Sequence, residues 1–366
     1  LGGDLGLHGL EFLAGAGRLG VLLVGAQLGK NLLYPGQLRR GLHLGLHSGG
    51  MDRPESGPRL NMGRTAFVFP GQGSHFVGMG KVFFDEYPSV RTLFEEASDL
   101  IKKDLKSLCF EGPEPTLVQT DNVQPAITLV NLACLQVMRE EGVVPSATAG
   151  HSLGEYAALH AAGVLSFGDT MRLVQVRGAA MQEAASRHPG GMLAVVGLDV
   201  EALSAICGQV KDIGSVEVAN HNSPLQVALT GQTEALQRAA ELAKQQGARL
   251  TKPLKVSGPW HSRFMAEAKT PMRQALEACA LTRSTLPVIA NVTADTYAAE
   301  PDRIRETLVE QMVRPVRWAD SMNKLIRDGY RTFVEVGPGK ILTGLMRDIS
   351  RDVKMLNVQD PDSLLT

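Results

Sequence analysis

VVPSATAGHSLGEYAALHAAG, residues 143–163, decides the fold. Val143 to Gly150 reads as a short apolar strand, and the Ala-rich stretch Leu153 to Gly163 reads as a helix. Between them stands Gly150-His151-Ser152-Leu153-Gly154, a G-x-S-x-G pattern. A serine on a sharp strand-to-helix turn is a nucleophile elbow. Small residues two positions away on each side let strand and helix approach. The helix start then offers backbone N–H groups and a positive dipole end to a developing oxyanion. The pattern alone is common in a glycine-rich chain. Its place between strand and helix gives it weight.

The neighbouring segments extend the same rhythm. TAFVFP, residues 65–70, reads as a buried strand followed by the turn-rich GQGSH. Val82 to Lys106 is largely helical in pattern. Pro125 to Gly142 is an apolar helix stopped by glycine. Phe167 to His188 is another helix. Thr332 to Val336 is a strand closed by Gly337-Pro338-Gly339, with a helix after it. Strands alternating with helices predict an α/β domain with a mainly parallel sheet, α/β-hydrolase-like. Residues 191–255 differ. Strand Met192–Gly197, helix Val200–Cys207, strands Ser215–Asn220 and Gln226–Thr230, helix Thr233–Gln246 and strand Arg249–Pro253 give the order βαββαβ. That order predicts an inserted ferredoxin-like small subdomain. The larger subdomain then occupies 63–190 and 256–358, with a short tail at 359–366.

Residues 1–62 are a different kind of sequence. The first 50 contain 15 Leu and 14 Gly, without a sustained period of 3.6 or 2. Glycine at that density is costly in helices and weak in strands. Leu19 to Ala26 is too far from the first residue for a signal-peptide core, and no tidy cleavage pattern follows. The segment is expected to be a disordered or non-native leader, with Met51 and Met62 as candidate starts.

Composition bounds the function. The 366 residues are 44% hydrophobic and 20% charged, which is ordinary for a globular protein. A net charge of −1 gives no support to nucleic-acid binding. No apolar run reaches the 18 or so residues that a membrane span needs. Cys109, Cys134, Cys207 and Cys279 are far apart and form no CxxC pair, so free thiols in a reducing, cytoplasmic setting are expected. The histidines form no HExxH, and no metal site is expected.

A serine nucleophile needs a base. The body offers His75, His151, His160, His188, His221 and His261. His261, in VSGPWHS, lies on a loop that re-enters the larger subdomain, 109 residues after Ser152; only the fold can bring the two together. His151 is adjacent to Ser152, and neighbouring side chains diverge, so it suits supporting the elbow. Arg177 sits on an apolar helix, LVQVRGAAMQ. It either snorkels to solvent or is buried and wants a carboxylate, from the protein or from an acidic substrate.

FVFPGQGSH, TDNVQPAITLVNLA, AGHSLGEYAALHAAGVL, VQVRGAAMQ, NHNSPLQVALTG, VSGPWHSRFM, LVEQMVRPVRW and FVEVGPGKILTGL together resemble the malonyl-CoA:acyl carrier protein transacylases of fatty-acid synthesis. The resemblance covers about residues 64–358, and eight motifs in this order are very specific. Polyketide-type acyltransferases share the superfamily; with no synthase domain flanking this one, the free-standing enzyme is the expectation.

The resemblance implies roles residue by residue. Ser152 matches the nucleophile and His261 its general base. Arg177 matches the residue that pairs with the malonyl carboxylate. Gln72 matches the lining of the oxyanion pocket, and the Leu153 N–H its donor. Gln311 matches the position whose backbone carbonyl orients the histidine. Asn222 belongs to the small-subdomain motif facing the cleft. Two positions depart from the pattern. His75 replaces the usual glutamine after GQGS. Trp260 stands before the histidine where smaller residues or phenylalanine are common, and a bulky ring there should disfavour an α-methyl branch. The expected partners are malonyl-CoA and acyl carrier protein, both substrates, with no resident cofactor, nucleic acid or membrane. Lys244, Arg249, Lys252 and Lys255 are the expected docking patch for the acidic carrier.

Two rival readings come from other classes. A serine hydrolase or thioesterase of the α/β-hydrolase kind would place its histidine near the C-terminus, whereas more than 100 residues follow His261. It would also leave Arg177 idle. A silent acyl-binding module would not keep serine, histidine and arginine together.

Overall fold

A computed structural model describes residues 64–365. The expectations for residues 1–62 lie outside the described residues. The expected α/β architecture is present as a parallel sheet and a separate antiparallel sheet. The nine described strands are β1 (Thr65–Phe69), β2 (Ala147–Gly150), β3 (Gly191–Val196), β4 (Val216–Ser223), β5 (Gln226–Gly231), β6 (Leu250–Pro253), β7 (Val288–Ile289), β8 (Thr332–Val336) and β9 (Lys354–Val358).

The first sheet has the order β7-β2-β1-β8-β9, with every pairing parallel. β1 is central and wholly buried, which is why TAFVF lacks polar alternation. β2 is built from ATAG, in which only Thr148 favours a strand. Its residues fit because helix Gly154–Ala161 must lie almost on top of the strand. A Cβ on Gly150 would stand 2.0 Å from the Gly154 carbonyl, and one on Gly154 would stand 2.0 Å from the Phe69 oxygen. The two glycines of the elbow are therefore fixed by close approach of backbone to backbone.

The second sheet has the order β4-β5-β3-β6 and is antiparallel. Helices Val200–Gln209 and Thr233–Gln245 pack on it around a separate core that includes Leu193, Val195, Leu203, Ile206, Val227 and Leu229. β4 is an edge strand. Its register shifts twice, between Val218 and Asn220 and between His221 and Ser223. Irregularities of this kind re-aim side chains. Here the strand joins the larger body: Asn220 bridges Val316, and the His221 N–H donates to the Val316 carbonyl.

Several boundaries differ from the sequence expectation. Val82 to Lys106 is broken rather than continuous, as Lys81–Glu86, Pro88–Ile101 and the start of Leu105–Phe110. Pro88 opens a new helix at its first position, and Lys102 ends that helix with φ of 55°. The helix expected to begin at Pro125 begins at Thr120. Pro125 cannot donate to the Asp121 carbonyl four residues back. The Lys103 Nζ takes that carbonyl at 2.9 Å, which lets the helix run through the proline. β7 and β9 leave no clear signal in the sequence: one has two residues and the other lies at the sheet edge.

Gly154→Ala should lower the urea unfolding midpoint by the equivalent of about 1–3 kcal/mol. Gly208→Ala is the matched control. It lies in a helix with open space around it, and its midpoint should hold or rise. Equal behaviour of the two variants would count against a close-approach role for Gly154.

Candidate active site

Ser152 sits at the elbow with φ of 51°, a left-handed conformation that is costly for a residue with a side chain. Its neighbours hold it there. The Ser152 N–H donates to the Asn291 Oδ1 at 2.7 Å, and the Asn291 Nδ2 donates to the Gly150 carbonyl at 2.6 Å. The Ser152 carbonyl accepts from the Gln311 Nε2 at 2.7 Å.

The loop after β6 brings His261 to this serine. The Ser152 Oγ and His261 Nε2 are 2.7 Å apart. His261 also has positive φ, 56°, and is buried. Its Nδ1 lies 2.9 Å from the Gln311 carbonyl. A carbonyl can only accept, so Nδ1 carries the proton and Nε2 is free to accept from the serine hydroxyl. Burial pushes the imidazole down to about 3, helped by the nearby Arg177 charge. The ring is therefore neutral at physiological pH.

Arg177, on helix Phe167–Arg187, does not snorkel; it is 1% exposed. Its Nη1 donates to the Gln124 Oε1 at 2.9 Å. Its Nη2 donates to the Gln311 Oε1 at 3.0 Å and to the Ser152 Oγ at 3.1 Å. The guanidinium lies 5.7 Å from the centre of the Tyr156 ring. All three hydrogen-bond partners are uncharged oxygens, and Nε has none. Burial lowers the guanidinium pKa from its usual value.

Gln311, the last residue of helix Pro301–Gln311, is fully buried and touches all three central residues. Its Nε2 also donates to the Glu155 Oε2 at 2.5 Å. Asn222, on β4, lies 2.8 Å from the His151 Nε2, which ties the second sheet to the elbow. His151 in turn meets the Trp318 ring edge-on, at 5.4 Å between ring centres. Gln72 is half-buried in the turn after β1. A Cβ on the adjacent Gly71 would stand 2.4 Å from the His151 carbonyl and 3.4 Å from the Leu153 nitrogen. That turn therefore abuts the start of the elbow helix, where Leu153 is buried. Trp260 is buried too. Its six-membered ring folds back on Gly258 and its Nε1 has no partner. His75 is half-buried with an unpartnered Nδ1, and desolvation lowers its pKa. The described residues contain no group of three or more His, Cys, Asp or Glu that could hold a metal ion. A cavity of about 500 Å³, lined partly by Gln119, Gln182 and Lys255, lies off these central residues.

Four residues with no role in the sequence reading belong to this network. Gln124 holds Arg177, and Asn291 holds the elbow. Glu155 accepts from the Asn291 N–H at 3.0 Å, the Tyr297 hydroxyl at 2.7 Å and Gln311. Glu155 carried a signal: it is the one acid in the run GEYAALHAAG. Full burial raises its carboxyl to about 7, against the opposing pull of those hydrogen bonds and of Arg177.

Comparison with known proteins gives four concordant findings. Residues 66–360 match the family model described as the acyl transferase domain. The malonyl CoA-acyl carrier protein transacylase of Bacillus subtilis strain 168 is 44% identical over 304 residues, which is 83% of this chain and 96% of that protein. The crystal structure of an acyl-carrier-protein-S-malonyltransferase from Bartonella henselae is 40% identical with a TM-score of 0.79, covering 82% of this chain and 97% of that one. A malonyl-transacylase solved in complex with its type II polyketide synthase acyl carrier protein is 39% identical with a TM-score of 0.80, over 83% and 98% of the two chains.

The His261 titration is directly measurable. At pH 5.5 a histidine of ordinary pKa is about 90% protonated. Ring ¹⁵N shifts should show His261 still neutral there. Below its ordinary value of 6.5 the unfolded chain binds a proton on this residue and the folded chain does not, so this group's contribution makes stability fall as pH drops from 6.5 toward 3. Glu155 works oppositely: between 4.5 and about 7 the folded state holds the extra proton, and its contribution is lost as pH rises through 7. His261→Gln should remove the acid-side loss that belongs to the imidazole alone. A slope unchanged by that substitution would contradict the burial argument.

Proposed function

The chain belongs to the acyl transferase domain family, and from that premise we propose that it moves the malonyl group of malonyl-CoA, through an ester on Ser152, to the phosphopantetheine thiol of an acyl carrier protein. The named relatives carry the same activity in their descriptions. One observation carries the reading for this chain: a buried guanidinium, matched only by neutral oxygens, sits 3.1 Å from the serine hydroxyl. A cation beside a nucleophile favours an acyl group that brings its own carboxylate.

The steps follow from the geometry. The His261 Nε2 takes the Ser152 proton as Oγ attacks the thioester carbonyl. The tetrahedral oxyanion is assigned to the Leu153 N–H and the Gln72 side of the pocket, where each donor is worth roughly 3–4 kcal/mol in comparable sites. The carbon–sulfur bond breaks, and CoA leaves as a thiol with the proton from His261. The carrier thiol then enters and gives its proton to His261. Its sulfur attacks the malonyl ester, and the proton returns to Ser152 as the ester bond breaks. The Gln311 carbonyl does for His261 what a carboxylate does in hydrolase triads. It keeps the proton on Nδ1 without adding a charge.

Further assignments complete the reading. The malonyl carboxylate pairs with Arg177. Once it does, the positive field on His261 is offset, and the imidazolium formed during attack becomes easier to reach. Asn222 supports the elbow through His151. Trp260 is assigned to disfavouring an α-methyl branch. Exposed Lys244, Arg249, Lys252 and Lys255 are assigned to carrier docking. CoA thioester and carrier are substrates, and the scheme calls on no resident cofactor. The β3–β6 unit is assigned as a ferredoxin-like subdomain at 191–255, inserted between 63–190 and 256–358. Its element order and its strand order β4-β5-β3-β6 support that. Four buried free thiols support a reducing, cytoplasmic location.

Two measurements test the proposal. After exposure to malonyl-CoA without carrier, intact-protein and peptide mass spectrometry should find one malonyl group on Ser152, and Ser152→Ala should carry none. Arg177→Ala should lose malonyl transfer about a hundredfold more than acetyl transfer, because only malonyl supplies a partner for the guanidinium. Equal losses for both donors would overturn the role of Arg177.

A further inference from the structure

The Gln311 side chain is an amide, and its orientation decides what Arg177 meets. Its Nε2 faces the Ser152 carbonyl and the Glu155 Oε2. A carbonyl and a carboxylate are both acceptors only, so both require the NH₂ end. The Oε1 is thereby turned to the Arg177 Nη2. Glu155 is held in turn through its other oxygen by the Asn291 N–H and the Tyr297 hydroxyl. The Glu155 carboxylate makes no hydrogen bond to Ser152, His261 or Arg177; only the Glu155 main-chain N–H meets the Ser152 carbonyl, at 3.2 Å. Through the Gln311 side-chain amide the carboxylate reaches Arg177 and the Ser152 carbonyl.

We propose that Glu155 is a positioning residue for acyl-donor selection, which fixes the amide orientation of Gln311 and so keeps an acceptor against the Arg177 guanidinium. This deepens the malonyl-transfer reading and rests on it. The consequence of removing the charge follows from donor counting. In Glu155→Gln, the new side-chain oxygen stays with the Asn291 and Tyr297 donors, and the new NH₂ faces Gln311. Two NH₂ groups cannot pair. Gln311 rotates, gives up its bond to the Ser152 carbonyl, presents Oε1 to the new amide and turns its NH₂ on the guanidinium. Arg177 loses an acceptor and gains a donor that repels it, so it moves from the position that receives a carboxylate.

The test is the ratio of kcat/KM for malonyl-CoA to that for acetyl-CoA, at pH 8 where the Glu155 carboxyl is ionised. E155Q should lower the ratio about tenfold or more, with most of the loss on the malonyl side. Q311M removes the amide and keeps the main-chain carbonyl that His261 needs. It should lower the ratio similarly, and E155Q added to Q311M should change it little further. An unchanged ratio in E155Q, or full additivity of the two substitutions, overturns the inference. If E155Q does not fold, Q311M alone decides, and an unchanged ratio there also overturns it. A general loss of stability would depress both donors together and leave the ratio intact, which separates positioning from scaffolding. A wild type that loads malonyl but shows no preference over acetyl would overturn the selection reading itself, and this inference with it. A wild type with the preference, retained in E155Q and Q311M, overturns only the inference.

Discussion

Arg177 is a buried cation without a buried anion against it, and the rest of the site is arranged around that cost. Removing a charge from water costs several kcal/mol even after relaxation, roughly, unless partners replace the water. The protein replaces it with two amide oxygens, a hydroxyl and the face of Tyr156. Neutral partners stabilise the guanidinium less than a carboxylate would. A carboxylate at full contact would satisfy it and leave nothing for a substrate to gain. Glu155 stands one amide away. It lends its field across Gln311 while leaving the guanidinium open to a stronger partner.

The same cation shapes the histidine. Burial and the Arg177 charge both disfavour the imidazolium. In the proposed reaction, where His261 accepts a proton, it is therefore a base that is always available but reluctant. An acyl group with a carboxylate on Arg177 removes part of that reluctance. An acyl group without one leaves it in place. Selection can then act on the rate of attack as well as on binding. The neutral Gln311 carbonyl fits this logic, because an anion at Nδ1 would ease the imidazolium for every donor alike.

The larger features of the molecule were legible because they follow from local pattern. The wholly apolar β1 and the elbow could be read from 65–69 and 150–154, and the alternation of strand and helix gave the α/β class. Ser152 and Arg177 could be singled out by type and setting; His261 was one of six candidate histidines until the family resemblance chose it, because nothing in the spacing of 109 residues says that serine and histidine meet. The failures have physical causes. β7 is two residues long, and β9 sits at an edge where burial leaves no clear period. The helix through Pro125 depends on Lys103, some 20 residues away in sequence, for the carbonyl that proline leaves free. Glu155 and Asn291 act through hydrogen bonds to backbone and amide groups, and such bonds leave no periodic trace.

Ser152 and His261 share one further property, backbone strain of the kind L-residues avoid. Strain persists only where surrounding bonds over-determine it. At Ser152 those bonds come from Asn291 on its N–H and Gln311 on its carbonyl, so both ends of the strained residue are clamped from distant segments. At His261 the clamp is the Gln311 carbonyl on Nδ1. Gln311 thus holds the Ser152 backbone with its side chain and the His261 ring with its main chain. Moving it would relax both residues at once, so in the proposed reaction the geometry of attack and the selection of the acyl group both depend on a single buried glutamine.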